Sequence, residues 1–137
     1  MTRASGEGGS VSVELAILTP LFALLLACVV LVGRVQSGRA DVEAAARAAA
    51  RTISLSRDSA SAIEVARTDA LAMVDVGSPT CTSMAFTPTL EGGEVQVEIS
   101  CVVDLAAAAL LPVPGSVTVS ATATEVVDVY REEDGAP

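Results

Sequence analysis

From Leu15 to Gly33 the chain reads LAILTPLFALLLACVVLVG, an apolar run without a charge, interrupted only by Thr19 and Pro20. At about 1.5 Å per residue such a run approaches the roughly 30 Å of a bilayer's hydrocarbon core, which predicts a membrane-spanning helix. A buried core helix is the weaker reading, because a chain of 137 residues has little else to surround it on all sides.

Past the span the pattern becomes that of an amphipathic helix. Residues 39–56, RADVEAAARAAARTISLS, are rich in strong helix formers. Val42, Ala46, Ala49 and Ile53 recur at helical spacing, and Glu43 with Arg47 makes an i,i+4 pair of favourable order. This helix is expected to continue from the membrane, with Gly33 and Gly38 as soft points where it could bend. Ser56-Arg57-Asp58-Ser59 reads as a break. Ser61 and Glu64 have capping-box spacing for a second helix through about Val76, stopped by Gly77 and Pro79. The alanine-lined faces suit close packing, either between these helices or against neighbouring subunits.

From Cys81 the period drops to two. Val95, Val97, Ile99, Cys101 and Val103 alternate with Gln96, Glu98 and Ser100, the mark of a half-buried strand. Residues 81–87 form a weaker partner, with Glu91-Gly92-Gly93 as the turn. A two-residue Gly92-Gly93 turn would set Met84 opposite Cys101, so a bond from Cys81 to Cys101 calls for an odd loop near Glu91 or a bulge, which Pro88 would favour. Leu105–Leu111, LAAAALL, is too short to cross a bilayer and reads as a helical turn or an apolar crossover. Val117, Val119, Ala121 and Ala123 then alternate with Thr118, Ser120, Thr122 and Thr124 as a third strand. The fold class expected is α+β: an N-terminal transmembrane helix extended into an Ala-rich helical region, then a small antiparallel hairpin or three-stranded sheet.

Composition narrows the function classes. The formal net charge is −9, and all eight basic residues are arginines scattered singly, so the basic footprint of a nucleic-acid binder is absent. There is no histidine, which removes the commonest general base and metal ligand. The remaining Ser, Thr, Asp and Glu form no recognisable catalytic motif, so the chain reads as no enzyme, with no cofactor, no metal and no small-molecule substrate. Cys81 and Cys101, without CxxC spacing, read as one disulfide and hence an oxidising compartment. Closing that loop would stabilise the domain by about 3 kcal/mol.

Glu14 is the exceptional residue. A carboxylate in hydrocarbon costs a few kcal/mol unless paired, so an acid one turn inside a span points to function, unless it simply rests at the headgroup level. A cleaved secretory signal would want positive charge there instead. Leu25-Leu26-Ala27-Cys28 resembles a lipoprotein lipobox, but five further uncharged residues, VVLVG, follow the cysteine where a mature lipoprotein turns polar. Type IV prepilins carry a polar leader ending in Gly, cut by a dedicated peptidase to leave Glu as the fifth residue of the mature helix. Gly9 followed by Ser10-Val11-Ser12-Val13-Glu14 has that register.

Gly9-SVSVE14, the apolar LAILTPLFALLLACVVLVGRV helix, the ARAAAR stretch and the Cys81 to Cys101 hairpin followed by PGSVTVSATATE together resemble the TadE-like family. These are minor pilins or pseudopilins of tight adherence, Flp-type type IVb, pili. The match is motif-specific in the N-terminal third, and it departs at Leu15, where the family often has an aromatic. The resemblance implies a non-catalytic pilus-assembly component serving adhesion or secretion. It further implies cleavage between Gly9 and Ser10, and Glu14 as the assembly residue facing the freed N-terminal amine of a neighbouring subunit. Expected partners are the membrane, the prepilin peptidase, and other pilins or pilus assembly proteins. The alternatives are a single-pass anchor presenting an extracytoplasmic interaction domain, or a lipoprotein acylated at Cys28.

The corresponding organisation is a leader at 1–9, a transmembrane helix at 10–35, an extracytoplasmic helical region at 36–77, a β domain at 78–130 and a disordered tail at 131–137. Arg34, Arg39, Arg47 and Arg51 outnumber Arg3 and favour a cytoplasmic C-terminal region by the positive-inside rule. The leader and the cysteine pair require the reverse, and the leader decides the expectation: a single pass through the cytoplasmic membrane with the C-terminal region outside.

Overall fold

The structure, a computed structural model, describes residues 8–108 and 114–127. Expectations for the leader's first seven residues, for the later part of LAAAALL and for the tail lie outside them. The element order is α1 (Gly8–Ser54), α2 (Ser59–Met73), β1 (Ser83–Glu91), β2 (Glu94–Asp104), α3 (Leu105–Ala108) and β3 (Ser116–Val126). The expected α+β class, with a long N-terminal helix followed by a three-stranded antiparallel sheet, is what is observed.

Helix α1 runs without interruption for 47 residues, about 70 Å. It passes straight through Gly33 and Gly38. Gly38 has a packing reason rather than a hinge role: a Cβ there would sit 3.3 Å from the Thr80 carbonyl oxygen and 3.8 Å from Val103 Cγ2. A glycine lets the helix pass this close to the segment that carries Cys81.

The C-terminal half of α1 is the spine of the folded head. Val42, Ala45, Ala46, Ala49, Ala50 and Ile53 are buried, which includes all four positions singled out by helical spacing. They face two partners, β2 and β3 on one side and α2 on the other. Helix α2 contributes the stripe Ala62, Ala66 and Ala70 at i, i+4, i+8. With alanine on both surfaces the two helices can approach closely, and the sequence's open choice resolves to packing within the chain. On the exposed side, Glu43 bridges Arg39 and Arg47, each at 3.3 Å. Such solvent-exposed i,i+4 pairs contribute about 0.3–0.5 kcal/mol each.

The start of α2 differs from the expected capping box at Ser61. Asp58 is the N-cap, its carboxylate accepting from the Ala60 N–H at 3.1 Å, while the Ser61 hydroxyl donates to the Asp58 carbonyl. Where Ser59 opens the helix, Met73 ends it, three residues short of the expected Val76.

Strands order as β1-β2-β3, all antiparallel. Val95, Val97, Ile99, Cys101 and Val103 on the central strand are all buried against the helices. Gly92 and Gly93 form a two-residue turn with φ of 63° and 79°. Both central residues at positive φ match a type I′ hairpin turn, which L side chains resist. The register is therefore Met84 opposite Cys101.

The Cys81–Cys101 disulfide nevertheless forms, with Cα atoms 5.5 Å apart. No odd loop near Glu91 is needed; the one-residue offset is made at the start of β1, where Thr82 and Ser83 both face Val102, and not at Pro88. Strand β1 begins only at Ser83, and the chain bends at Thr82, whose N–H (2.8 Å) and hydroxyl (3.0 Å) both donate to the Val102 carbonyl. The bend brings Cys81 out of the strand's alternation and under the covered face, where a tight turn holds it through bonds between Cys81 N and Ser78 O and between Gly77 N and Cys81 O. Arg67 over the Phe86 ring, 5.8 Å from its centroid, ties α2 to β1.

Two outcomes test this packing. Reducing the Cys81–Cys101 bond should lower the head's stability by about 3 kcal/mol, read from denaturant midpoints with and without reductant. Gly38→Val should destabilise in the same assay, because the Thr80 backbone oxygen cannot move without displacing the disulfide turn. Unchanged midpoints would contradict the close approach.

Candidate functional site: the bare apolar stalk and Glu14

Among the described residues, the N-terminal half of α1 is left uncovered by the rest of the chain. Its most apolar 18-residue window has mean hydropathy 2.9, and none of it is buried. Large side chains from Val11 to Val32, among them Ile17 (67%), Leu21 (62%) and Phe22 (63%), stand open to their surroundings. A core helix of a water-soluble fold would be covered; this one is apolar all round and bare, as lipid contact requires.

Its length is set by the head. The first stalk residues packed against the core are Leu31 and Val35. Val11 to Val30 is therefore the bare segment, about 30 Å long and equal to a hydrocarbon core. The folded head begins where such a layer would end, and Arg34 follows immediately at the interface. The helix is long and apolar enough to cross a membrane and fits a single-pass anchor.

Thr19 donates its hydroxyl to the Leu15 carbonyl at 2.7 Å. Pro20 lies inside the helix and supplies no N–H to the Ala16 carbonyl, leaving one exposed acceptor in the first half of the stalk. The free thiol of Cys28 is exposed on the stalk.

Glu14 stands three residues past Val11, about 4.5 Å below the edge of the bare segment and at the end away from the head. Leu31 is about 25 Å farther along the helix, so the head's side chains are out of its reach. Among the described residues the Glu14 carboxylate makes no hydrogen bond or ion pair. No other described residue of the chain supplies it with a partner. Gly9 and Ser10 lie in the first turns of α1, on the same continuous helix. The structure thus brings Gly9, Ser10 and Glu14 together at one tip of the stalk, while Cys81 and Cys101 sit at the base of the head. The two groups lie at opposite ends of the stalk.

A cleft of about 300 Å³ between α1 and α2 is lined mainly by alanine, with Thr52, Asp69 and Met73. Among the described residues no cluster of three or more His, Cys, Asp or Glu could hold a metal ion. What sequence reasoning missed is the position of the head along the helix, since burial of Leu31 and Val35 depends on contacts from distant strands.

Replacing Leu21 and Leu25 by arginine should release the chain from the membrane fraction on carbonate extraction, each arginine costing about 2.5–3.5 kcal/mol at mid-span. Retention of the double variant would contradict a spanning stalk.

No curated protein and no solved structure matches the chain. The family model described as TadE-like protein does match, over residues 9–51, the stalk together with the part of α1 that enters the head. That segment opens on Gly9, carries Glu14 and closes on Arg51, and over it the chain is similar to TadE-like proteins, a family associated with the Tad pilus.

Proposed function

We propose that the chain is a minor pilin or pseudopilin that takes part in assembling a Tad-type pilus, and that it is matured by a prepilin peptidase acting between Gly9 and Ser10. The observation that carries this reading is the coincidence of the family match, which begins at Gly9, with a bare stalk whose sole acid is Glu14. In this reading the leader is residues 1–9 and the transmembrane segment 10–35. The helical region 36–77 and the β domain 78–130 face the outside of the cytoplasmic membrane, where an oxidised Cys81–Cys101 pair is stable. Catalysis has no part in it.

Cleavage would create an amine at Ser10, one turn before Glu14. Within a single helix the two are about 6 Å apart along the axis. Between laterally packed copies or pilin partners, the amine of one and the carboxylate of another neutralise each other in a low-dielectric layer where each alone is expensive. Removing MTRASGEGG takes away Arg3 and Glu7, so the formal charge of the remainder stays at −9.

Intact mass of membrane-extracted protein tests the proposal. The expected result is loss of residues 1–9. Diacylation at Cys28 would replace the reading with a lipoprotein, and an uncut chain that functions normally would replace it with a simple single-pass anchor. Gly9→Glu should abolish the cut. Glu14→Ala should leave the cut intact and reduce incorporation into pili by at least tenfold, and normal incorporation would remove the pairing role of Glu14.

A further inference from the structure

The two edges of the sheet are not equivalent. Closing the hairpin at Glu91↔Glu94 makes every second pair along β1 and β2 a hydrogen-bonded one, so Pro88↔Val97 is a pair without bonds and the Pro88 nitrogen faces the outer edge. Proline there removes a donor from the free edge without weakening the sheet, a common defence against strand addition. Helix α2 also flanks that side, through Arg67 over Phe86.

Strand β3 has no such defence. The bond from Val127 N to Gly93 O fixes the same alternation on its side, so the even-numbered residues turn their backbone groups outward. Ser116, Thr118, Ser120, Thr122, Thr124 and Val126 present N–H and C=O to the edge, and among the described residues none of these groups has a backbone partner. SVTVSATATEV contains no proline, glycine or basic residue over 11 residues and is rich in Val and Thr. Its core-side row is also incompletely covered, with Val117 38% exposed and Ala121 and Ala123 only half-buried. An added strand would continue both the ladder and the core.

Charge selects the occupant. The chain has no basic residue between Arg67 and Arg131, whereas the strands carry Glu91, Glu94, Glu98, Asp104 and Glu125. A second copy fits poorly. Antiparallel pairing of two β3 edges places a two-fold axis perpendicular to the sheet, and this reverses any helix lying along the sheet face. The two α1 stalks would then point in opposite directions, which two chains anchored in one bilayer cannot do.

We infer that the β3 edge is a docking site for an extended, basic polypeptide segment of another protein, which adds to the sheet as a fourth strand beside Thr118–Thr124. This mode draws affinity from main-chain bonds and selectivity from alternate side chains. It goes beyond the assembly role proposed above and does not depend on cleavage at Gly9.

The test uses the full chain in nanodiscs of zwitterionic lipid with two 11-residue probe peptides, one alternating Val and Lys, the other Val and Glu. Fluorescence anisotropy should show the lysine peptide binding at least tenfold more tightly. Hydrogen exchange should slow at Thr118, Ser120, Thr122 and Thr124. Thr122→Pro, which removes an outward N–H and no ladder bond, should abolish binding while the disulfide and thermal midpoint persist; Leu90→Pro on the opposite edge should leave binding unchanged. Equal binding of both peptides, or protection on β1 instead, would overturn the inference. So would edge amides already protected in the free chain that become exposed when residues 128–137 are removed, since the chain's own tail would then be the occupant. A concentration-dependent dimer abolished by Thr122→Pro would likewise overturn it in favour of a second copy.

Discussion

One helix has to be stable in two solvents. The N-terminal part of α1 presents leucine, valine and phenylalanine on every face, and the C-terminal part presents alanine and valine to a protein core and arginine and glutamate to water. The change occurs within a few residues, between Val30 and Val35, and everything else in the molecule is arranged around it. If the head packed one turn nearer the N-terminus, it would cover part of the segment that is long and apolar enough to span a membrane. If it packed one turn farther away, apolar helix would be left in water.

The head meets this constraint with a thin core. In a chain with only 2% aromatic residues, it fills space with alanine pairs between α1 and α2 and with a row of mostly β-branched side chains on β2. Short side chains bring backbones together, and Gly38 takes this to its limit against the Thr80 carbonyl. A core of this kind buries little area per residue, so a covalent tie between Cys81 and Cys101 has a large share in holding the disulfide turn beneath the sheet. The disulfide and the glycine lie at the same place, where the stalk enters the head.

Much of this was legible in the residues. A period near 3.6 placed Val42, Ala46, Ala49 and Ile53 on the buried face of α1, and a period of two placed all five inward positions of β2, because those periods follow from backbone geometry alone. Gly92-Gly93 fixed the hairpin register for the same local reason. The disulfide route did not follow from parity counting, because a bend at Thr82 cancels the count, and that bend is held by Val102, 20 residues away in sequence. The choice of Asp58 over Ser61 as N-cap turned on one residue of helix start, where local signals compete closely. Glu14, Gly9 and Ser10 were marked by spacing, and the structure adds that they share the stalk tip remote from the head. The difference between the sheet edges was invisible until the pairing parity showed that Pro88 turns its nitrogen outward.

Water access along α1 in a bilayer tests the two-solvent helix most directly. With Cys28 replaced by serine and single cysteines introduced at Leu18, Leu21, Leu25 and Gln36, a charged, membrane-impermeant maleimide should label only the last. Labelling at Leu21 and Leu25 at the rate seen at Gln36 would contradict a stalk that spans the membrane and a head that begins at its surface.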